Sequence, residues 1–269
     1  MGRDDYLLDN QQSQAGERFA ALGELFNAST FRRMDAIGLS PGWIVWEVGA
    51  GGPSVPTWIA SRTNDRVLAT DIDTSWLEVE DAAYETRRHD IGIDDAPDGA
   101  FDLVHARLVL VHVPNRTAAL ATMVSAVRPG GWLYLEEADP GLQPFACPDD
   151  FGREQHLANK LKLGFRSLMS ERGVDLAFGR TLPRLLRSAG MVDVQTEAYF
   201  PMGGAASNEL ERATVEQVRD RLISAGLATA DEIEQHLSNV ASGTLDLATS
   251  PMVSSWGQKP VRALQTPHP

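Results

Sequence analysis

Cysteine is almost missing from this 269-residue sequence, in which Cys147 is the only one. A single thiol cannot close an intramolecular disulfide, and it cannot assemble a thiolate metal site. Long apolar runs are missing as well, so no segment predicts a bilayer-spanning helix. Residues 1–19 are polar and acidic, a pattern that fits neither a secretory signal nor a transit peptide. We therefore expect a cytoplasmic protein without a bound metal.

Positive charge is also in short supply. The 24 lysines and arginines stand against 37 aspartates and glutamates, which gives a net charge of −13 and a pI near 4.9. Such a balance disfavours nucleic acids and anionic membranes as partners. Solubility explains the charge most simply, and a cationic or neutral ligand is compatible with it. We expect a small-molecule substrate, while the composition leaves the oligomeric state open.

Between residues 40 and 140 the chain alternates strand-like apolar runs with amphipathic helical segments. This alternation is typical of βαβ units, and right-handed crossovers turn such units into a doubly wound, mostly parallel, Rossmann-like α/β sheet. The predicted strands are 43–48, 66–73, 84–89, the start of 101–113, and 132–138; the predicted helices between them are 55–62, 75–82 and 115–127.

The flanking segments are predominantly helical. Residues 15–27 show helical spacing, and Ser29 and Thr30 are candidate caps of a second short helix that reaches Ile37. The sheet is expected to resume with a helix at 182–188 and strands at 192–200 and 252–258. We predict a single domain over 1–269, with N-terminal helices (1–39), a cofactor-binding core (40–140) and helical insertions (141–177 and 203–248) that form a substrate lid.

Polar residues follow successive predicted strands. Asp71 and Asp90 end the second and third strands, and Glu136 and Glu137 end the fifth. In an open α/β sheet, ligands bind at the carboxyl ends of the strands where the order reverses. Asp71 stands 20 residues after Gly51, a spacing that suits a carboxylate on the two hydroxyls of a ribose. The strand ends therefore predict a nucleoside site.

The glycine loop GAGGPSVP (49–56) argues against a pyrophosphate ligand. The dinucleotide fingerprint requires a third glycine where this chain has Ser54, and no Lys-Ser/Thr pair completes a P-loop. Pro53 and Pro56 each lack the backbone N–H with which a helix N-terminus binds phosphate. The loop therefore favours a nucleoside without a diphosphate.

Five motifs in order, WEVGAGG, ATDID, RHDIG, FDLVHARLVLVHVPN and RPGGWLYLEE, resemble those of the class I S-adenosylmethionine-dependent methyltransferases. The similarity covers about residues 40–140, and the later strands fit the seven-stranded order of that family. The sequence is most similar to small-molecule methyltransferases of the ubiquinone and menaquinone biosynthesis type. S-adenosylmethionine is the cofactor that this resemblance implies.

The resemblance also implies which residues hold the methionine end of the cofactor. Glu47 is the acid of the glycine motif, and Gly49 and Gly51 let the backbone approach the ligand. Ala106 and Arg107 occupy the loop after the fourth strand, which lines the methionine moiety in the family.

The nucleoside end is assigned to four further residues on the same grounds. Asp71 holds the ribose hydroxyls, and Ile72 packs on one face of the adenine. Asp90 accepts from the adenine amino group, and the backbone N–H of Ile91 meets the ring. Pro53 departs from the family, which usually has glycine there, although both approaching glycines are in place.

The implied reaction is an in-line displacement, in which a nucleophile attacks the sulfonium methyl group from the side opposite the sulfur. An acidic pocket favours the sulfonium cation over its neutral product. An oxygen nucleophile would gain from a general base, and the candidates are His112, His156 and His236. His105 lies inside an apolar strand and is expected to be structural. No pattern singles out one histidine as the base.

Two other functions stay open at this point. An NAD-dependent oxidoreductase would share Asp71 but conflicts with Ser54 and the two prolines. A non-catalytic nucleoside-binding protein could keep the same fold. The residues leave open which acceptor is methylated, and whether the methyl group goes to oxygen, nitrogen or carbon.

Overall fold

The predicted sheet is present in the computed structural model, which describes residues 13–261. Its strands are β1 (Val45–Val48), β2 (Val67–Asp71), β3 (Glu85–Arg88), β4 (Phe101–Arg107), β5 (Val127–Ala138), β6 (Val192–Tyr199) and β7 (Met252–Gln258). They form one seven-stranded sheet in the order β3-β2-β1-β4-β5-β7-β6. The order reverses beside β1, which is the switch point at which open α/β sheets bind ligands.

Strands β1 to β5 pair in parallel. The last strand runs the other way: Gly130, near the start of β5, donates to the carbonyl of Lys259, just beyond the end of β7, and Lys259 donates to the carbonyl of Gly131. The prediction of a doubly wound, seven-stranded, mostly parallel sheet is therefore confirmed. The lid that was predicted with it stays a prediction.

The α-helices are α1 (Ser13–Ala36), α2 (Ser54–Thr63), α3 (Arg116–Ala126), α4 (Arg153–Glu171), α5 (Leu182–Ser188), α6 (Ala205–Ser224) and α7 (Ala230–Ala241). Across the described range 13–261, none of these helices is long and apolar enough to cross a membrane.

One helix replaces the two that were predicted at the N-terminus. Ser29 and Thr30 do not cap a second helix, because both lie inside α1. Thr30 instead donates its hydroxyl hydrogen to the carbonyl oxygen of Phe26, one turn earlier, over 3.2 Å. A threonine inside a helix can satisfy its hydroxyl in this way, so the residue type alone does not mark a boundary.

The predicted helix at 75–82 is absent; the segment consists of turns. Only Leu77 is fully buried there, while the side chains of Trp76 and Val79 are 38% and 48% exposed. Asp81 has a left-handed φ of +56°, which no α-helix accommodates. The hydroxyl of Tyr84 donates to the carbonyl of Leu77 and holds the turn (2.9 Å). A helix over 75–82 would therefore have no apolar core against which to bury an apolar face.

The described residues fall into two compact units. The sheet unit comprises residues 31–137, 178–198 and 253–261, and the helical unit comprises residues 13–30, 138–177 and 199–252. The segment 141–177, which was predicted to be mostly helical, lies in the helical unit. Within this segment, α4 is the helical part and residues 141–152 are a series of turns and bends. The prediction of a single domain over 1–269 stays a prediction.

Each unit has its own core. In the sheet unit, apolar residues of α1 and α2 pack with those of the central strands, among them Met34, Val45, Ile59 and Leu103. In the helical unit, α4, α6 and α7 contribute the buried cluster Leu161, Leu168, Val215, Val218, Leu222, Ala228 and Ile233. The packed core of the sheet unit therefore holds the loops at the carboxyl ends of its strands in place.

Candidate functional site

The glycine loop follows directly on β1. Gly49 and Gly51 have φ angles of +60° and +65°, in the left-handed region that favours glycine. A Cβ on Gly49 would clash with the side chain of Val109. Pro53 precedes the first residue of α2 and Pro56 lies in its first turn, where backbone N–H groups have no partner within the helix. Both prolines are thus compatible with the loop and helix.

Asp71 closes β2 beside this loop. Its carboxylate accepts hydrogen bonds from the backbone N–H of Gly51 (2.9 Å) and of Asp73 (3.0 Å). Burial raises the pKa of Asp71, against the backbone hydrogen bonds that lower it. The adjacent Ile72 is 58% exposed, an unusual position for a large apolar side chain. A carboxylate beside an exposed apolar side chain fits the hydroxyls of a ribose and the face of a base.

Asp90 follows β3 at the same edge of the sheet. Its side chain accepts from the backbone N–H of Gly92 (2.9 Å), and its own N–H donates to the carboxylate of Asp94 (2.7 Å). Ile91 is buried. The backbone N–H of His89 donates to the carbonyl of Asp71 (2.9 Å), which ties the ends of β2 and β3 together.

The end of β4 leads into an irregular turn. Ala106 is buried and Arg107 is half-buried. Leu108 then has a φ of +59°, which is uncommon for a residue with a branched side chain, and its N–H donates to the carbonyl of Glu136 (2.8 Å). Sequence reasoning found the strand end but not this conformation, which places the next three backbone N–H groups on one carboxylate.

That carboxylate belongs to Glu137, at the end of β5. One of its oxygens accepts from the backbone N–H groups of Val109, Leu110 and Val111, over 3.1, 2.6 and 3.4 Å. Its other oxygen is buried and has no hydrogen-bond partner in the described part of the chain. Burial raises the pKa of Glu137 to about 8, against the three backbone donors. Glu137 thus holds the turn after β4 in place.

A buried histidine joins the two acids of β1 and β5. Nδ1 of His105 lies 2.6 Å from the carboxylate of Glu47, and Nε2 lies 3.2 Å from the carboxylate of Glu136. The other oxygen of Glu136 accepts from the hydroxyls of Tyr134 (2.7 Å) and Ser254 (2.6 Å). The five side chains form one hydrogen-bonded network inside the sheet unit.

The charges in this network support one another. Burial alone would lower the pKa of His105, but the carboxylates of Glu47 and Glu136 outweigh it and raise the pKa to about 9. Burial would raise the pKa of Glu136, yet the hydrogen bond and charge of His105 and the charge of Arg107 lower it to about 2. The two acids of the network therefore favour the protonated form of His105.

The predicted cofactor residues thus have different surroundings, some at the glycine loop and one in the buried network around His105. Gly51 and Asp71 are in direct contact, and Glu47 is bound to His105. The sequence prediction assigned no role to Glu136, Tyr134 or Ser254 in this network. A signal was present, because Glu47 and His105 are in register on neighbouring strands and both interrupt apolar runs.

The three histidine candidates occupy unrelated environments. His112 ends the short 3₁₀ turn Leu110–His112 in the sheet unit. In the helical unit, Nε2 of His156 lies 3.2 Å from the carbonyl of Asp150, and the imidazole is 58% exposed. His156 lines an open hollow of about 550 Å³ together with Phe145, Asp150, Asn159, Lys160, Leu163, Gly164, Ser167 and Leu227.

His236 is fully buried in the helical unit. Its Nε2 lies 3.2 Å from the carboxylate of Glu211, whose other oxygen is 3.8 Å from Nζ of Lys162. Burial alone would raise the pKa of Glu211, but Lys162 and His236 lower it. Nδ1 of His236 and the buried hydroxyl of Ser207 have no hydrogen-bond partner among residues 13–261.

The described residues offer no alternative metal centre. Across residues 13–261, no group of three or more His, Cys, Asp and Glu side chains is arranged to hold a metal ion. The lone Cys147 is buried, and its pKa is raised to about 11 by burial and by the nearby charges of Glu211, Asp246 and Asp150. A thiol with such a pKa is a poor nucleophile.

Comparisons with known proteins point to one family. Residues 46–135 match the family Methyltransf_11, described as a methyltransferase domain. A methyltransferase named str3 from Strobilurus tenacellus is 38% identical over 96 residues, which are 35% of this chain and 32% of that protein. A ubiquinone biosynthesis O-methyltransferase from Burkholderia pseudomallei is 28% identical over 66% of this chain and 78% of its own length.

Solved structures share the fold. A phosphoethanolamine N-methyltransferase 2 from Haemonchus contortus, in complex with S-adenosyl-L-methionine, superposes with a TM-score of 0.60 at 15% identity, over 97% of this chain and 60% of that one. The chain spans less than half the length of the curated relatives that it matches first, from 32% to 45% of each. It therefore resembles one part of those longer proteins.

Proposed function

We propose that this chain, a member of the class I S-adenosylmethionine-dependent methyltransferases, transfers a methyl group from S-adenosylmethionine to a small-molecule acceptor. The observation that carries the proposal is the contact between the N–H of Gly51 and the carboxylate of Asp71, at the adjoining ends of β1 and β2. It joins the glycine loop to the predicted ribose acid at the switch point of the sheet. The methyltransferase domain matched at 46–135 contains both residues.

For the nucleoside end, the proposal assigns Asp71 to the ribose hydroxyls and Ile72 to one adenine face. Asp71 has spare acceptor capacity, since an ionised carboxylate offers about four lone-pair sites and the backbone donors of Gly51, Ile72 and Asp73 occupy only part of them. The exposed side chain of Ile72 is free to pack on a ring. Asp90 and Ile91 are assigned to the polar edge of the adenine.

For the methionine end, the proposal assigns Glu47, Gly49, Ala106 and Arg107. The left-handed backbone at Gly49 and the turn after Arg107 directly follow the neighbouring strands β1 and β4. The side chain of Val109 fills the space beside Gly49. Glu47 supplies a carboxylate that suits an ammonium group.

When bound, S-adenosylmethionine supplies an electrophilic methyl group on a sulfonium centre. The contribution of this chain is to bind and orient, because holding reacting groups in a near-attack geometry can lower a barrier by roughly 7 kcal/mol or more. No residue of the chain needs to form a covalent bond to the substrate. The acidic residues at the strand ends favour a cation over a neutral product.

The acceptor is proposed to be a small, partly apolar metabolite. The relatives with named acceptors include phosphoethanolamine and ubiquinone-biosynthesis methyltransferases, so the family resemblance spans nitrogen and oxygen acceptors. We further propose that the helical segments 141–177 and 203–248 supply the residues that select the acceptor. The candidate general bases are His156, which is exposed, and His236, which is buried, in those segments, and His112 in the sheet unit.

An oxidoreductase is the less favoured candidate. It would place a pyrophosphate at a loop where Pro53 and Pro56 lack N–H groups and where Ser54 replaces the third glycine.

The first test is calorimetric titration of the protein with S-adenosylhomocysteine and, separately, with NADH. We expect binding of S-adenosylhomocysteine with a Kd of about 1 µM, or roughly −8 kcal/mol, and no measurable heat with NADH. Tight binding of NADH, with none of S-adenosylhomocysteine, would refute the proposal. Transfer of a labelled methyl group to a panel of quinols, phenols, amines and polyketides then identifies the acceptor class.

A further inference from the structure

Three neighbouring strands of the sheet unit bring one histidine between two glutamates. His105 of β4 contacts Glu47 of β1 through Nδ1 (2.6 Å) and Glu136 of β5 through Nε2 (3.2 Å). The side chain of His105 is fully buried, and those of Glu47 and Glu136 are 2% and 1% exposed. Three ionisable groups so deeply buried are costly to keep unless each satisfies the others.

The sheet register creates this arrangement. The Cα atoms of Glu47 and His105 are directly paired between β1 and β4, so both side chains lie on the same face of the sheet. Glu47 stands two residues before Gly49, where the glycine loop begins. The histidine therefore contacts the one buried acid that leads directly into the proposed cofactor loop.

The hydrogen bonds of His105 are those that a protonated imidazole can make. Both ring nitrogens of His105 lie within hydrogen-bond distance of a carboxylate oxygen. A neutral imidazole has one N–H and can donate only once, whereas an imidazolium donates twice. Glu136 also accepts from Tyr134 and Ser254, which fixes it as the anchor of the ring on the far side from Glu47.

We propose that His105 is a positioning residue for cofactor binding, which holds the carboxylate of Glu47 in the orientation that engages the ammonium group of the methionine end. The proposal rests on the proposed function, which assigns Glu47 to that end. A glutamate that is already held in place loses less rotamer freedom when it binds a cation, and preorganisation of this kind increases affinity. Tyr134 and Ser254 act through Glu136 to keep the imidazole in place.

A merely structural role for His105 predicts a different pattern of binding. If the imidazole only stabilised the sheet, its loss would weaken every nucleoside ligand alike. If it orients Glu47, its loss affects only ligands that carry the amino-acid end. S-adenosylhomocysteine has that end, and 5′-methylthioadenosine shares the nucleoside but lacks it. Comparing the two ligands therefore separates the two roles.

The test is calorimetric titration of wild type, His105→Gln and His105→Asn with both ligands. An asparagine amide nitrogen can take the place of Nδ1 and still donate to Glu47, whereas a glutamine amide reaches towards Glu136 instead. We expect His105→Gln to bind S-adenosylhomocysteine about tenfold more weakly, the effect of losing one charge-assisted hydrogen bond, and His105→Asn to lose about threefold or less. Binding of 5′-methylthioadenosine is expected to stay within about twofold in both variants.

Equal losses for the two ligands, or equal losses in the two variants, would overturn the proposal. Should a variant fail to fold, the wild-type protein supplies an independent measurement by NMR. The imidazole resonances of His105 should shift when S-adenosylhomocysteine is added and stay unchanged with 5′-methylthioadenosine; identical responses to both ligands also overturn it. Absence of any S-adenosylhomocysteine binding by the wild type would instead refute the proposed function, which keeps the two failures distinguishable.

Discussion

Each unit of the molecule buries one histidine completely beside a glutamate, and the two histidines differ in their second ring nitrogen. In the sheet unit, both nitrogens of His105 contact a carboxylate, from Glu47 and Glu136. In the helical unit, His236 contacts Glu211 through Nε2, and its Nδ1 has no hydrogen-bond partner within residues 13–261. The first histidine is a closed part of a network, and the second has an unused donor or acceptor.

The difference teaches that burial alone does not distinguish a structural histidine from a functional one. A fully satisfied polar network rigidifies its surroundings, while an unpaired buried polar atom requires an explanation such as a bound water or ligand. His105 therefore fits a rigid positioning role. His236 is held to the protein through one ring nitrogen only among residues 13–261.

The largest expected effect comes from replacing each histidine with leucine. His105→Leu leaves Glu47 and Glu136 buried without their cation, and breaking a buried ion pair costs about 3–5 kcal/mol of the free energy of unfolding. His236→Leu leaves Glu211 with Lys162 at 3.8 Å, so we expect a loss of about 1–2 kcal/mol. Urea denaturation followed by circular dichroism measures both. Equal losses in the two variants would remove the distinction drawn between the two sites.

The next effect concerns ligand affinity. Asp71→Ala removes a carboxylate proposed to bind the ribose, and we expect the binding free energy of S-adenosylhomocysteine to weaken by about 1.5–3 kcal/mol. Asp73→Ala is the matched control, because its carboxylate accepts from the backbone N–H of Ser75 and is not assigned to the ligand. A loss under about 0.5 kcal/mol is expected there. Unchanged affinity in Asp71→Ala would show that the site is misplaced.

The pH dependence of stability sharpens the contrast within the sheet unit. The pKa of His105 is raised to about 9 from 6.5, so its stabilising charge is fully present below about pH 6.5 and is lost as the pH rises through about 9. The pKa of Glu136 is lowered to about 2 from 4.5, so its contribution is present above about pH 4.5 and is lost as the pH falls through about 2.

Glu137, like His105, makes the protein less stable as the pH rises. Its pKa is raised to about 8 from 4.5, so its contribution is present below about pH 4.5 and is lost as the pH rises through about 8. Urea midpoints between pH 6.5 and 9 should therefore fall in the wild type, fall less in His105→Asn, and fall less again when Glu137→Gln is added. A wild-type midpoint that does not change over this range would contradict the charged state of His105.

The strand pattern of the sequence was sufficient to predict the sheet unit. All seven strands were predicted from the sequence. The central strands β1, β2 and β4 are buried and locally apolar, and acids mark the ends of several strands, whereas β3 and β6 are largely exposed. The position of Asp71 at the end of β2 was predicted in this way, and its contact with Gly51 follows from the adjacency of β1 and β2. The helix predicted at 75–82 failed because its apolar residues have no common core to face, which only the tertiary structure decides.

The remaining features depend on contacts between distant residues. Ser254 donates to Glu136 across 118 positions of sequence, and no local pattern specifies that pair. His236 meets Glu211 only because α6 and α7 pack together in the helical unit. The turn at Leu108 required a left-handed conformation that its residue type does not predict. Polar contacts between helices that carry no sequence motif therefore cannot be predicted before the packing is known.

The smallest effect is expected from a matched pair of buried serines. Ser254 donates to Glu136 over 2.6 Å, and Ser207 has no hydrogen-bond partner in the described chain, although the two side chains are similarly buried. Ser254→Ala should lower the free energy of unfolding by about 1.5 kcal/mol, the lower end of the range for a hydrogen bond to a charged acceptor. Ser207→Ala should change it by less than about 0.5 kcal/mol, because no protein partner is lost. Urea denaturation at pH 6.5 keeps His105 charged and makes the two values comparable. A loss near 1 kcal/mol for Ser207→Ala would mean that bound water already satisfies its hydroxyl. The sites of Ser254 and Ser207 would then differ in their access to solvent, and not in whether the hydroxyl is hydrogen-bonded.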